Sequence, residues 1–224
     1  SVTTGTGNTL IGQGAGQDIT DGAYNTCLGF QTMTHDRNTN GNRNTVIGTF
    51  SDTSSTNSDD QIILGYNVIG TGNNAFTFGK DGTDSNIDFG ATSITAPSDE
   101  RYKEEITSST AGLSFINDLR PVTFKWKKEK DIPSNHRSYV ANSDERVMGR
   151  GDKVQHGFIA QEVKSVIDNH PEIQNGFEMW SEDESDGRQR LAPAELIPML
   201  TKAVQELSAK NDALEARLSA LENG

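Results

Sequence analysis

Ser98 and Lys103 lie close together in the stretch Ala96-Pro97-Ser98-Asp99-Glu100-Arg101-Tyr102-Lys103. A serine hydroxyl becomes a nucleophile once a base takes its proton, and a lysine amine can be that base when burial lowers its hold on protons. Ser–Lys pairing is a variant of the Ser–His–Asp arrangement. Spacing alone supports it weakly. Residues at this separation do not share a helix face, and in a strand they point to opposite sides, so the chain must turn between them. The same residues admit a second reading, in which Ser98 or Asp99 caps a short helix running through Tyr102 and Ile106 and Lys103 is solvated.

Other candidates for chemistry are fewer. His156 precedes Gly157-Phe158-Ile159-Ala160 and reads either as a core-edge histidine or as a group that orients the Ser–Lys pair or binds a cleavage oxyanion. His35, His136 and His170 have no metal-ligand spacing among them. The acidic run Glu182-Asp183-Glu184-Ser185-Asp186-Gly187 lacks the alternation and terminal Glu of a calcium loop, and reads as a solvated turn. No metal and no cofactor are expected. A glycan-cleaving enzyme would need paired carboxylates, and no convincing pair stands out.

The elements that must position these groups belong to an unusual chain of 224 residues. Hydrophobic residues make up 32%, against about 45–50% for a globular domain on a count that includes Gly. A compact monomer of this composition buries little apolar surface against its chain entropy. Intertwined subunits that complete each other's cores are the expected solution. The formal net charge of −12 argues against nucleic acid, which needs clustered Lys and Arg, and against an anionic membrane surface. The single cysteine, Cys27, has no intrachain partner and serves as a small buried hydrophobe. Apolar runs are too short to span a bilayer, and no basic-then-apolar leader is present. The repeat-like start at Ser1 suggests the C-terminal piece of something longer.

Residues 1–97 are rich in Gly, Asn, Thr, Asp and Ser, with Arg37, Arg43 and Lys80 as their basic residues. A phrase recurs: Asn8-Thr9-Leu10-Ile11-Gly12, Asn25-Thr26-Cys27-Leu28-Gly29 and Asn44-Thr45-Val46-Ile47-Gly48, with echoes ending at Gly65 and Gly79. This predicts one short strand and one polar turn per repeat, stacked in an array, with burial supplied by stacking and by other chains. Gly after each apolar pair permits positive φ or close backbone approach, and Asn before it suits a turn. A flexible linker would have no reason to keep such spacing.

From Ser98 onward the grammar changes. Leu113, Ile116 and Leu119 have helical spacing before Pro121, and Val122–Lys127 alternates as a half-buried strand. Residues 128–153 read as a long loop or flap. A buried strand end at Gly157–Ala160 runs into a helix through Val163, Val166 and Ile167, and Phe177–Gln189 reads as a hairpin turning at Asp186-Gly187. Finally Leu200, Val204, Leu207, Asn211, Leu214, Leu218 and Leu221 form an unbroken heptad seam with Asn211 at an a position. The pattern favours a coiled coil over a helix packed on its own domain, but does not distinguish two strands from three.

Several blocks occur in a characteristic order: Ser98–Lys103, Gly112-Leu113, Leu119–Phe124, Gly157–Val163, Leu196-Ile197 and Ala203–Leu207. Together they resemble the intramolecular chaperone domain of phage tail spikes and tail fibres, the S74 peptidase family, over residues 98–224. The resemblance implies a mixed architecture. Residues 1–97 would be an all-β repetitive trimeric fibre of β-prism or β-helix type. Residues 98–224 would be an α+β chaperone, with a body over 98–195 and a coiled-coil helix over 196–222. It implies a homotrimer in which the chaperone aligns the upstream fibre and then cuts itself off at Pro97–Ser98, with Ser98 as nucleophile and Lys103 as general base. Pro97 is an unusual acyl side for that cut. Gln161 and Glu162 fall in a family block and would serve helix capping or subunit contact. The implied setting is the host cytoplasm during assembly and the virion tail afterwards, with a bacterial surface receptor as a further partner. A trimeric adhesin stalk with a coiled-coil anchor and no catalysis is the alternative; it leaves residues 98–190 without a purpose.

Overall fold

The computed structural model describes residues 4–34, 40–173 and 176–223. His35 and Arg37 therefore lie outside the described residues. The chain divides into two compact units, Ser1–Glu105 and Ile106–Gly224.

In the first unit each recurring phrase is a strand: β1 Thr9–Ile11, β2 Thr26–Leu28, β3 Thr45–Ile47, β4 Gln61–Tyr66 and β5 Ala75–Lys80. They stack in sequence order as a parallel sheet, and β6 (Thr83–Asp88) closes it antiparallel to β5. The register superimposes the phrases residue on residue: Leu10 beside Cys27, Cys27 beside Val46, Val46 beside Ile63. This is a β-solenoid-like stack in which side chains alternate between faces. The inward row, Cys27, Val46 and Ile63, is buried with Ile19, Met33 and Val68. Burial pushes the Cys27 thiol up to about 12, so it stays protonated and inert. The outward row, Ile11, Leu28, Ile47 and Leu64, is exposed.

The inner row packs against Ile19 and Met33 of the same chain, apolar residues that the polar returns fold back beneath the strands. The asparagines of the phrase are more than turn residues. Asn8 Oδ1 accepts the backbone N–H of Asn25, Asn25 Oδ1 that of Asn44, and Asn44 Oδ1 that of Gln61, at 2.8, 3.0 and 3.0 Å. Their side-chain amides donate to Gly22, Gly41 and Ser58 carbonyls on the neighbouring returns. Asn25 and Asn44 are fully buried, so this ladder satisfies polar groups that would otherwise be costly. The glycine of the phrase is required for two reasons: at Gly48 φ is +130°, and a Cβ would stand 1.7 Å from the Gly65 carbonyl oxygen of the next coil.

The second unit is not repetitive. It contains α1 Leu113–Asp118, β7 Val122–Phe124, β8 Gln155–Gly157, α2 Ala160–Asp168, β9 Trp180–Glu182, β10 Gln189–Leu191 and α3 Leu196–Glu222. β7 pairs antiparallel with β8, and β9 with β10 as the expected hairpin. Regular pairing of β7 stops at Phe124, although inside–outside alternation continues to Lys127. The loop from 128 is pinned at its base by Lys128–Arg146 pairing, with the Val147 N–H donating to Lys127. A single core unites Ala111, Phe115, Leu119, Val163, Ile167, Ile173, Met179 and Leu196.

α1, only six residues long, is held at both ends by the rest of the unit. At its start the Leu113 N–H donates to Glu206 Oε2 of α3 at 2.9 Å, and a Cβ at Gly112 would meet that carboxylate at 2.7 Å. Two sequence blocks far apart, Gly112-Leu113 and Ala203–Leu207, thus meet through one bond. At its end Asp118 bonds His170, whose other ring nitrogen bonds Glu172. Between them Phe115 is completely buried, edge-on to His170 and Phe177.

α3 presents two faces. Leu196, Met199, Ala203 and Glu206 turn to the body. Leu200, Val204, Leu207, Leu214, Leu218 and Leu221 are exposed, as is Asn211, which donates to Glu215 at 2.7 Å. One face of the helix thus packs on its own body, and the heptad row lies on a separate, exposed face.

Candidate functional site

The chain leaves the stacked sheet through Thr95, which exchanges both backbone bonds with Asn86 at 2.7 and 2.8 Å. Ala96, Pro97 and Ser98 then run exposed and irregular into a single 3-10 turn, Glu100–Tyr102. Asp99 is its N-cap: its Oδ1 accepts the Arg101 N–H at 2.9 Å, while the Tyr102 and Lys103 N–H groups donate to Asp99 and Glu100 carbonyls. The Arg101 guanidinium folds back onto both carboxylate oxygens of Asp99. Those bonds from Arg101, first the side chain and then the backbone, hold the Asp99 carboxyl below the usual carboxylate range.

That turn supplies the reversal which spacing alone did not guarantee. Lys103 Nζ lies 2.7 Å from Ser98 Oγ and donates to it. Elements of both readings coexist: Asp99 caps a turn, and Ser98 and Lys103 meet across it. The helical part ends at Tyr102, so the expected continuation through Ile106 is absent. Both members of the pair are exposed within the single chain. The same separation serves the reverse proton direction, from hydroxyl to neutral amine, that a general base requires.

Residues 98–170 match the family model Peptidase_S74, chaperone of endosialidase. Over that stretch, about a third of its length, the chain is similar to the S74 chaperone family. The match begins at Ser98 and ends at His170, so it opens on the Ser–Lys turn and closes on the histidine that holds α1. That family is described as a chaperone and, by its name, as a peptidase. No curated protein and no solved structure matches the chain.

The remaining candidates from the sequence belong to the second compact unit. His156 lies opposite Thr123 in the β7–β8 pair and is exposed, lining an open depression with Pro121, Val122, Thr123, Gly157 and Phe158. It is not a core-edge residue, because strand alternation turns it away from the body. Gln161 is exposed in the first turn of α2. Glu162 forms a two-point ion pair with Arg120, which holds its carboxyl below the usual range and ties the Leu119–Phe124 block to the Gly157–Val163 block. In the acidic run that follows β9, Asp183 accepts from Arg190 and Arg188, and its carboxyl is held far down by them. Among the described residues no cluster of His, Cys, Asp or Glu is arranged to hold a metal, and no helix is long and apolar enough to cross a membrane.

Residues that sequence reasoning missed are structural supports: Asn25 and Asn44 in the ladder, Glu206 at the start of α1, and His170. The repeat of Asn at one phrase position was a visible signal for the ladder. Nothing local to His170 announced its partner Asp118, 52 residues away.

Proposed function

We propose that the chain is part of a phage tail fibre or tail spike whose S74 chaperone domain drives homotrimerisation of the fibre and then severs itself at Pro97–Ser98. The observation that carries this reading is the 2.7 Å contact between Lys103 Nζ and Ser98 Oγ at the first residue of the family match.

The chemistry follows from the position of Ser98. Its Oγ attacks the Pro97 carbonyl carbon while the neutral Lys103 amine takes the hydroxyl proton. The Pro97–Ser98 C–N bond breaks and the lysine returns the proton to the departing Ser98 nitrogen. Pro97 is then an ester on Ser98 Oγ. Water, deprotonated by the same amine, hydrolyses it to a Pro97 carboxylate and a free Ser98 amine. One water is consumed and the protein is used once. Thr95 on one side and the capped turn on the other fix the two ends of the short segment in which this happens, which favours an attack geometry over random approach.

Assembly is the proposed switch. A water-exposed lysine is protonated at neutral pH and cannot accept a proton. Packing of neighbouring copies around the turn would exclude water and favour the neutral amine. Two exposed apolar rows support association of copies: the outward solenoid row, and the α3 seam, which a polar Asn211 would hold in register. The client is the upstream fibre of the same chain. The chaperone acts in the host cytoplasm, and the mature fibre belongs to the virion tail, where a bacterial surface receptor is its partner.

Intact mass spectrometry of the purified, assembled protein tests the reading. The parent should yield two fragments meeting between Pro97 and Ser98, and Ser98→Ala and Lys103→Ala should remain whole. A properly trimeric parent that stays uncut would favour the non-catalytic adhesin stalk instead.

A further inference from the structure

Asp99 and Arg101 stand in the turn without a role in the bond-breaking steps. Asp99 binds the turn through a backbone N–H that the short helix would otherwise leave unpaired. A single turn fixes several dihedrals for very few backbone bonds and is unstable alone. Only two backbone bonds, from Tyr102 to Asp99 and from Lys103 to Glu100, close this one. Yet these few residues determine whether an exposed serine and an exposed lysine meet. Arg101 completes the arrangement by occupying both oxygens of Asp99. A carboxylate one residue from Ser98 would otherwise be a ready acceptor for the Lys103 ammonium and would draw it off the hydroxyl.

We infer that Asp99 is a positioning residue for self-cleavage, acting as the cap that holds Ser98 and Lys103 in contact, with Arg101 as the clamp that keeps its carboxylate away from the lysine. This rests on the proposed Ser–Lys reading and adds to it a specific cause for the geometry. The important property of Asp99 is its acceptor oxygen, not its charge. Asparagine should replace it and alanine should not, since both Asp and Asn cap helix starts well while Ala does not.

The experiment follows fragment appearance in the full chain for the parent, Asp99→Asn, Asp99→Ala and Arg101→Ala, with trimer content and thermal melting measured on each sample. Asp99→Ala should slow cutting about five- to tenfold, the population loss expected from a missing cap, with trimer and melting unchanged. Asp99→Asn should stay within about twofold of the parent, since it caps equally well. Arg101→Ala should also slow cutting with assembly intact. The inference is overturned if Asp99→Ala cuts at the parental rate, if Asp99→Asn is as slow as Asp99→Ala, or if slow variants lose the trimer in proportion. A parent that never cuts removes the Ser–Lys reading itself, and this inference with it; a cutting parent with indifferent Asp99 variants removes only the inference.

Discussion

The two units solve the same shortage of apolar residues in opposite ways. The solenoid-like unit repeats one solution: a buried aliphatic per coil, a glycine that lets coils touch, and an amide ladder from Asn8 to Gln61. The buried bonds of that ladder join amides and backbone, groups that do not titrate. The second unit uses single supports that do: His170 between Asp118 and Glu172, Glu206 on α1, Arg120 with Glu162, and Asp183 with two arginines. Stability in the first unit is distributed along a ladder, whereas in the second it is concentrated on α1 and its two ends.

The contrast can be broken most forcefully in the ladder. Asn44→Ala removes the acceptor for Gln61 and the donor to Ser58 and Asn25 inside a dry interior. Each buried group left unpaired costs about 1–3 kcal/mol, so denaturant titration should find this unit weakened by about 3 kcal/mol. The loss should be the same at pH 6 and pH 8.5, because nothing in the ladder titrates. A pH-dependent loss would erase the distinction between the units.

His170 sharpens the comparison with a smaller effect. Its hydrogen bonds to Glu172 and then Asp118 raise its pKa above the ordinary imidazole value. Because the folded value is raised, the stabilisation is fully present below the unfolded pKa and fades as pH rises through the folded one. Glu172 is shifted downward by the same bond, so its share is lost when pH falls through its own lowered value. The second unit should therefore be most stable in mildly acidic solution and weaken above neutrality. His170→Gln should cost about 1.5–2 kcal/mol near pH 6, the lower part of the range for a hydrogen bond to a charged group, and clearly less at pH 8.5. Equal losses at both would show that the ring acts by packing on Phe115 alone.

Much of the solenoid was legible because its grammar is repeated: the Gly12–Gly79 series marks the coils, and Leu10, Cys27, Val46 and Ile63 mark the inner row. What stayed hidden was closure, since nothing in the polar returns announces that Ile19 and Met33 fill the space beneath the strands. In the second unit the helices, the hairpin and the α3 seam follow from local periodicity. The clamps do not, because Gly112 with Glu206 and Asp118 with His170 are pairings between distant segments. At the Ser–Lys turn the residue types were visible and the family order pointed to them. Their meeting across a turn capped by Asp99 is not legible from spacing, which admits the cap and the Ser–Lys pair as alternatives.

The central claim, that association of copies switches on an already assembled Ser98–Lys103 pair, is tested most directly by uncoupling folding from assembly. Leu207→Asp with Leu214→Asp places charges on the exposed seam and leaves the Leu196, Met199 and Ala203 face untouched. Fragment formation is then followed by intact mass in the parent and in this variant, with circular dichroism confirming a folded body. The account predicts a trimeric parent severed between Pro97 and Ser98 and a folded, monomeric variant that remains whole. A monomeric variant cut as fast as the parent would contradict it.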